Sequence, residues 1–162
     1  MNKYKLHIVV YSWFLLLLAC EQDDICLDTT VGSPKIIILL LDSENSDFRK
    51  FPEGFSLRAI GSKNNLLVSI GDSIALPLNA QEKVSQFEFI STQSGEENID
   101  TLQINYQRID RYINRGCGYR SNFILEPTPI TVLNPGNNWI KGFKILKDTI
   151  SDETTAHLGI LH

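Results

Sequence analysis

The sequence predicts an all-β protein, an antiparallel β-sandwich of the immunoglobulin or a similar type with about nine strands. Three observations predict it. No window after Cys20 sustains the 3.6-residue apolar period of an amphipathic helix. Short apolar or alternating runs recur instead, each bounded by Gly, Pro, Asn, Asp or Ser. Their spacing is that of strands which must pack one sheet against another to bury a face each.

Taken in order, Lys35 to Leu41 (KIIILLL) is apolar on both faces and follows Pro34, as a central strand covered on two sides does. In Phe55 to Gly61, Phe55, Leu57 and Ala59 alternate with Ser56 and Arg58, giving one buried and one wet face. Lys63-Asn64-Asn65 turns the chain into Leu66 to Ile70, and Gly71-Asp72-Ser73 turns it into Ile74 to Leu78, the pattern of a meander. Val84 to Ile90 places Phe87 and Phe89 on one face, and the polar stretch Ser91 to Asp100 reads as a loop. Leu102, Ile104 and Tyr106 then alternate with Gln103, Asn105 and Gln107. Past Arg108 the phase shifts to Ile109 and Ile113, which suggests a bulge or a bend onto a second sheet. Tyr119, Ser121, Phe123 and Leu125 resume the pattern after Arg115-Gly116-Cys117-Gly118. Ile130 to Leu133, Trp139 to Leu146 and Thr155 to Leu161 complete the set, separated by Asn134 to Asn138 and by an acidic loop from Asp148 to Glu153.

Ahead of these strands, Lys3 and Lys5 form a positive start and Ile8 to Leu18 an apolar run of secretory-signal length. The run is cut off by Cys20, Glu21, Asp23 and Asp24 before it reaches the ~20 residues that a spanning helix wants. Leu17-Leu18-Ala19-Cys20 resembles the lipobox of bacterial lipoproteins, in which a Leu and two small residues precede the cysteine that receives diacylglycerol. The resemblance implies cleavage before Cys20 and acyl chains on its thiol, where sulfur is the nucleophile. Glu21-Gln22-Asp23-Asp24 resembles the acidic export signal of surface lipoproteins of Bacteroidetes; read without that resemblance, it is a solvated linker. The expected organisation is a signal peptide over 1–19, an acidic tether over 20–33 and one sandwich domain over 34–162.

Acylation uses Cys20 and leaves Cys26 and Cys117 as an even pair in an oxidising compartment, so a disulfide between them is expected. Closing a loop of roughly 90 residues contributes about 4 to 5 kcal/mol at most on the chain-entropy model.

Removing the first 19 of 162 residues leaves 143, one domain in size. The composition, 43% apolar and 21% charged, is that of a globular chain. Lys3 and Lys5 leave with the leader, so 13 basic residues then face 19 acidic ones, a formal charge of −6. That balance argues against a nucleic-acid partner, whose phosphates need a basic footprint. It also argues that attachment to an anionic membrane comes from acyl chains and not from a polybasic patch.

Motifs for chemistry are sparse. His7 lies in the leader, which leaves His157 and His162 at the C-terminal end without a GxSxG or similar nucleophile context. His157, in a Thr/Ala/Leu run, reads as a surface or lining residue. No Gly-rich phosphate loop follows a strand and opens a helix. Asp42, Glu44, Ser46 and Glu53 fall at the first, third, fifth and twelfth positions of a calcium loop, but Asp47 stands where such a loop needs Gly. A solvated loop is expected there, with no metal and no cofactor.

The segment Tyr106 to Arg120 (YQRIDRYINRGCGYR) is the one local concentration of binding chemistry. Arg108, Arg111, Tyr112, Arg115, Tyr119 and Arg120 could bind carboxylates or sugars through paired hydrogen bonds and stacking. Strand alternation with Arg stems covering apolar surface produces the same composition.

Asp100-Thr101-Leu102, Tyr106, Cys117-Gly118-Tyr119-Arg120 and Asn138-Trp139-Ile140, with the lipobox and Asp23-Asp24-Ile25-Cys26, resemble a Bacteroidetes lipoprotein family of unknown function. That resemblance implies an address and no activity. The expectation is a non-enzymatic binding or assembly module, lipid-anchored in the outer membrane on its periplasmic face or at the cell surface. The partners this leaves are the membrane through Cys20 and either another envelope protein or a glycan. A glycan or anionic-ligand accessory protein is the alternative, and an envelope hydrolase with a deep acid-lined or Ser/His pocket is the third reading.

Overall fold

The computed structural model describes Tyr4, Trp13, residues 25–27, Thr30, 32–66 and 73–162. The expected leader, Cys20 and the expected strand from Leu66 to Ile70 lie, but for Tyr4, Trp13 and Leu66, outside the described residues. Among the described residues no helix is long and apolar enough to cross a membrane.

Among the described residues there are nine strands: β1 (Ile36–Leu41), β2 (Ser56–Ala59), β3 (Ile74–Leu76), β4 (Val84–Gln93), β5 (Glu96–Asn114), β6 (Gly118–Val132), β7 (Gly142–Ile145), β8 (Thr149–Ile150) and β9 (Leu158–Leu161). They form a four-stranded sheet in the order β3-β1-β9-β7 and a five-stranded sheet in the order β2-β4-β5-β6-β8. The all-β sandwich expected from periodicity is the fold observed. By contacts the chain divides into two compact units, one of residues 1–30 with 112–119, the other of 31–111 with 120–162.

The core lies within the larger unit, where the apolar faces meet. Ile36, Ile38 and Leu40 of β1 are 0–1% exposed, while Ile37 and Leu39 between them are half-buried. One face of β1 is therefore fully covered, and not both. The other sheet contributes Leu57, Phe87, Phe89, Leu102, Ile104 and Phe123. Each such side chain contributes roughly 1.5–3 kcal/mol relative to exposure.

Several sequence expectations are corrected. β2 pairs with β4 while β3 pairs with β1, so the expected meander is split between the sheets. β1 lies parallel to β9, Ile38 opposite Leu158, which makes that sheet mixed. Both strands are apolar runs from opposite ends of the chain, and an interior strand needs a partner on each side. The polar stretch Ser91 to Asp100 is a hairpin and not a loop: Thr92 pairs with Glu97 and Gln93 with Glu96. Ser94 (φ 53°) and Gly95 (φ 85°) make the two-residue turn with both φ positive that matches strand twist. A ladder of backbone hydrogen bonds does not need apolar side chains.

β5 continues in its own sheet to Asn114 and does not cross to the other. In β6 the buried Ser121, Phe123 and Leu125 are followed in the same phase by Pro129, and the phase changes only beyond it, where the half-buried Ile130 and Val132 pack against the core. Pro127 and Pro129 lack N–H groups for a ladder. Ile130 to Leu133 is thus mostly the end of β6 and not a separate strand. The acidic stretch Asp148 to Glu153 contains β8, with Ile150 fully buried opposite Phe123. His157 is not on the surface; it is 0% exposed. Its Nδ1 accepts the N–H of Ile37 at 3.0 Å, and Nε2 has no partner among the described residues.

Candidate functional site

The residues of the Arg/Tyr segment differ in burial and in bonding. Tyr106 is buried, edge-on to Phe123 at 5.1 Å, with its hydroxyl 2.8 Å from both Ser85 Oγ and the Asn79 carbonyl. Burial pushes its phenol above the ordinary value. Arg108 donates to the Ala80 carbonyl and lies 3.0 Å from Asp110 Oδ2. Arg120 is spent on Asn122 Oδ1 (3.2 and 3.1 Å) and the Ser151 carbonyl (2.7 Å). Arg111 is exposed and without a partner among the described residues.

The smaller unit holds the rest. Tyr112 and Tyr119, 53% and 71% exposed, meet edge-on at 5.3 Å. Arg115 is exposed in the turn between them. Asn114 Oδ1 accepts the N–H of Cys117 at 2.7 Å, and Gly118 takes φ 69°, so the turn is closed by its own bonds. Cys117 is joined to Cys26, and the Thr30 hydroxyl lies 3.6 Å from its Sγ. Ile25 and Leu27, on either side of Cys26, are each 64% exposed.

A groove in the larger unit is built from four segments distant in sequence. It has a volume of about 380 Å³ and is lined by Phe51, Gln93, Asn98, Asn137, Trp139 and His162 among others. An adjoining concavity of about 540 Å³ shares Gln93, Asn98, Asn137 and Trp139 and adds Glu96 and Glu97. The loop that carries Trp139 is held by a buried carboxylate. Asp100 is 1% exposed; its Oδ1 accepts from Asn138 Nδ2 and its Oδ2 from the N–H of Ile140, both at 2.8 Å. Asn134 adds two bonds of 2.6 Å to the backbone of Thr101 and Ile99. Trp139 is then locked in place, its indole N–H donating to the Phe89 carbonyl at 3.1 Å and its ring edge-on to His162 at 5.4 Å.

The facing wall, residues 50–53, is pinned to β4 by the Thr92 N–H on the Glu53 carbonyl at 3.3 Å. Gly54 permits that approach: it has φ +57°, and a Cβ there would lie 2.6 Å from the Thr92 carbonyl oxygen. Within the groove and its extension, the side chains of Glu53, Gln93, Glu96, Glu97 and Asn137 have no partner among the described residues. Fixed aromatic surface beside free amides and carboxylates suits a ligand with apolar CH faces and many hydroxyls. In the sequence Asn134 to Asn138 separates two strands and Asn138-Trp139-Ile140 carries only the family resemblance; the signal for a site there is a tryptophan directly after an Asn/Pro/Gly loop.

Two other constellations are engaged in local bonds. Ser91 Oγ donates to the Glu53 carbonyl at 3.4 Å and His162 Nε2 to the Lys50 carbonyl at 2.8 Å, so each is engaged by backbone rather than set as nucleophile and base. Asp42 accepts the Glu44 N–H at 2.8 Å and faces Lys50 Nζ at 3.2 Å, which together lower its pKa and close the calcium-like loop on itself. Among the described residues no three His, Cys, Asp or Glu side chains gather as metal ligands would.

Asp100 and Asn138 belong to the short motifs on which the family resemblance rests, and the structure bonds them to each other. No curated protein and no solved structure matches the chain. Residues 56–162, from β2 to the C-terminal end, match DUF6452, a family of unknown function, and the chain belongs to that family.

Proposed function

We propose that the chain is a lipid-anchored binding module of a bacterial cell envelope, not an enzyme, held on the outer membrane by acyl chains on Cys20. The leader and lipobox support the address. The Trp139 groove supports the binding role, and a glycan is the ligand class that fits it. The observation that carries this reading is the rigid, half-buried Trp139 beside side chains whose hydrogen bonding is unspent. Sugars present apolar CH faces to an aromatic ring while their hydroxyls take amide and carboxylate partners.

Trp139 is the sole tryptophan after the leader, so its fluorescence reports the groove directly. Titration with envelope and dietary oligosaccharides should shift its emission. The pair Gln93→Ala and Asn98→Ala should weaken binding at least tenfold without unfolding the protein. Changing Arg108, Arg111 and Tyr112 to Ala should leave binding unchanged. The reverse result moves the ligand face to the hairpin, and no response to any glycan removes the glycan reading. The anchor is tested separately by mass spectrometry of the native N-terminal peptide, which should carry acyl chains on Cys20.

A further inference from the structure

We propose that the turn from Tyr112 to Tyr119, with Ile25 and Leu27 of the tether, rests in the interfacial layer of the membrane that holds the acyl chains. The inference depends on the lipid anchor proposed above and adds a second, non-covalent contact to it. Downstream of Cys20, four large apolar or aromatic side chains of the smaller unit are more than half exposed: Ile25 and Leu27 at 64%, Tyr112 at 53% and Tyr119 at 71%. Exposed groups this large, held on one small unit, mark a surface that meets something. Tyrosines favour the headgroup level of a bilayer, where the ring is shielded and the hydroxyl stays wet.

The covalent path selects lipid over a protein partner. Cys26 stands six residues after Cys20, a span of at most about 20 Å when fully extended. The disulfide ties Cys26 to Cys117, in the middle of the turn. An anchor on Cys20 therefore keeps Cys117 within a distance smaller than the full thickness of a bilayer, roughly 40–45 Å. Charge permits contact at the surface and opposes deep entry. Residues 112–119 contain one charge, that of Arg115, and no acid, whereas Glu21, Asp23 and Asp24 in the tether favour water.

Downstream of the leader the chain has three tyrosines, Tyr106, Tyr112 and Tyr119, and with Cys26 and Cys117 joined its one free thiol is Cys20. The mature chain is coupled through Cys20 to a maleimide-headgroup lipid in phosphatidylcholine vesicles and treated with N-acetylimidazole, a small water-soluble reagent for exposed phenols. The reference is the same chain in solution, with Cys20 capped by N-ethylmaleimide. Acetylation of Tyr112 and Tyr119 should slow at least tenfold on vesicles. Protection should diminish in the coupled Cys26→Ser/Cys117→Ser variant, in which the turn is released from the tether. Tyr106 should stay unreactive throughout; a variant in which it reacts has unfolded, and the wild-type comparison then decides alone. Rates on vesicles within twofold of those in solution overturn the proposal, as does protection that appears only when another envelope protein is added. Because the coupling is chemical, its outcome does not depend on native acylation, so loss of the anchor reading and loss of this one are separately visible.

Discussion

The groove beside Trp139 and the β5–β6 hairpin both carry aromatic rings and exposed polar groups, but they acquire them in opposite ways. The hairpin draws its residues from one continuous stretch, and burial and local bonding then divide them: Tyr106 enters the core, Arg108 and Arg120 are tied to their neighbours, and Tyr112 and Tyr119 meet each other. The groove draws on residues 50–53, 91–98, 137–141 and 162, none of which stands out locally, and leaves the side chains of Gln93, Asn137, Glu53, Glu96 and Glu97 without partners among the described residues. Density of binding-type residues along a strand is thus a poor guide to a binding face. Convergence of distant segments on a fixed ring is a better one.

The sharpest way to test that contrast lies within the hairpin itself. Tyr106→Ala removes a fully buried ring and should cost about 3–5 kcal/mol in urea denaturation. Tyr106→Phe, which keeps the ring and drops the hydroxyl bonded to Ser85 and Asn79, should cost about 1 kcal/mol. Comparable losses in the two variants mean that the hydroxyl network, and not the packing, holds this end of the hairpin.

Asp100→Ala probes the groove in the same manner. It removes the acceptor of two 2.8 Å bonds and leaves the Ile140 N–H buried without a partner, a loss of about 2–4 kcal/mol. Since Asp100 does not line the groove, any change in Trp139 emission in this variant reports disorder of the loop that it positions. Unchanged emission with unchanged stability removes Asp100 from the account of the site.

How much was legible beforehand follows the same division between local and distant. β1, β2, β4 and the first half of β5 were readable because period-two alternation is written in neighbouring residues. β8 was hidden because two residues in an acidic stretch carry no period, although Ile150 is as buried as any core residue. The β4–β5 hairpin was hidden because polar side chains mask a ladder made by the backbone. Pairing of β1 with β9 joins the two ends of the folded body, and no local pattern encodes it. The groove was illegible for the same reason: its walls are neighbours only after the sheets have formed.

A smaller effect concerns His157, on the β1–β9 side of the sandwich. Burial, reinforced by Lys147, holds its imidazole below the ordinary value, against the opposing pull of Asp152 and Glu153. The unfolded chain takes a proton near pH 6.5 while the folded one resists it. Stability therefore falls as the pH drops below about 6.5 and continues to fall until the folded imidazole itself titrates, by up to about 1.4 kcal/mol per pH unit. His157→Asn offers an acceptor for the Ile37 N–H and removes the titration. Its stability should change less between pH 7 and pH 5 than that of the wild type, and equal slopes would assign the acid sensitivity to other groups.

The smallest effect is expected where exposure is greatest. Tyr112 and Tyr119 touch each other edge-on but remain more than half exposed, so replacing both with Ser forfeits little beyond that one contact, about 1 kcal/mol or less. A protein that retains two large, rigid, exposed rings at almost no gain in its own stability has them available for an outside surface. A loss of 2 kcal/mol or more in the double variant, measured in solution, reverses that inference. The pair would then be part of what holds the turn folded, and its exposure would no longer argue for contact with a membrane.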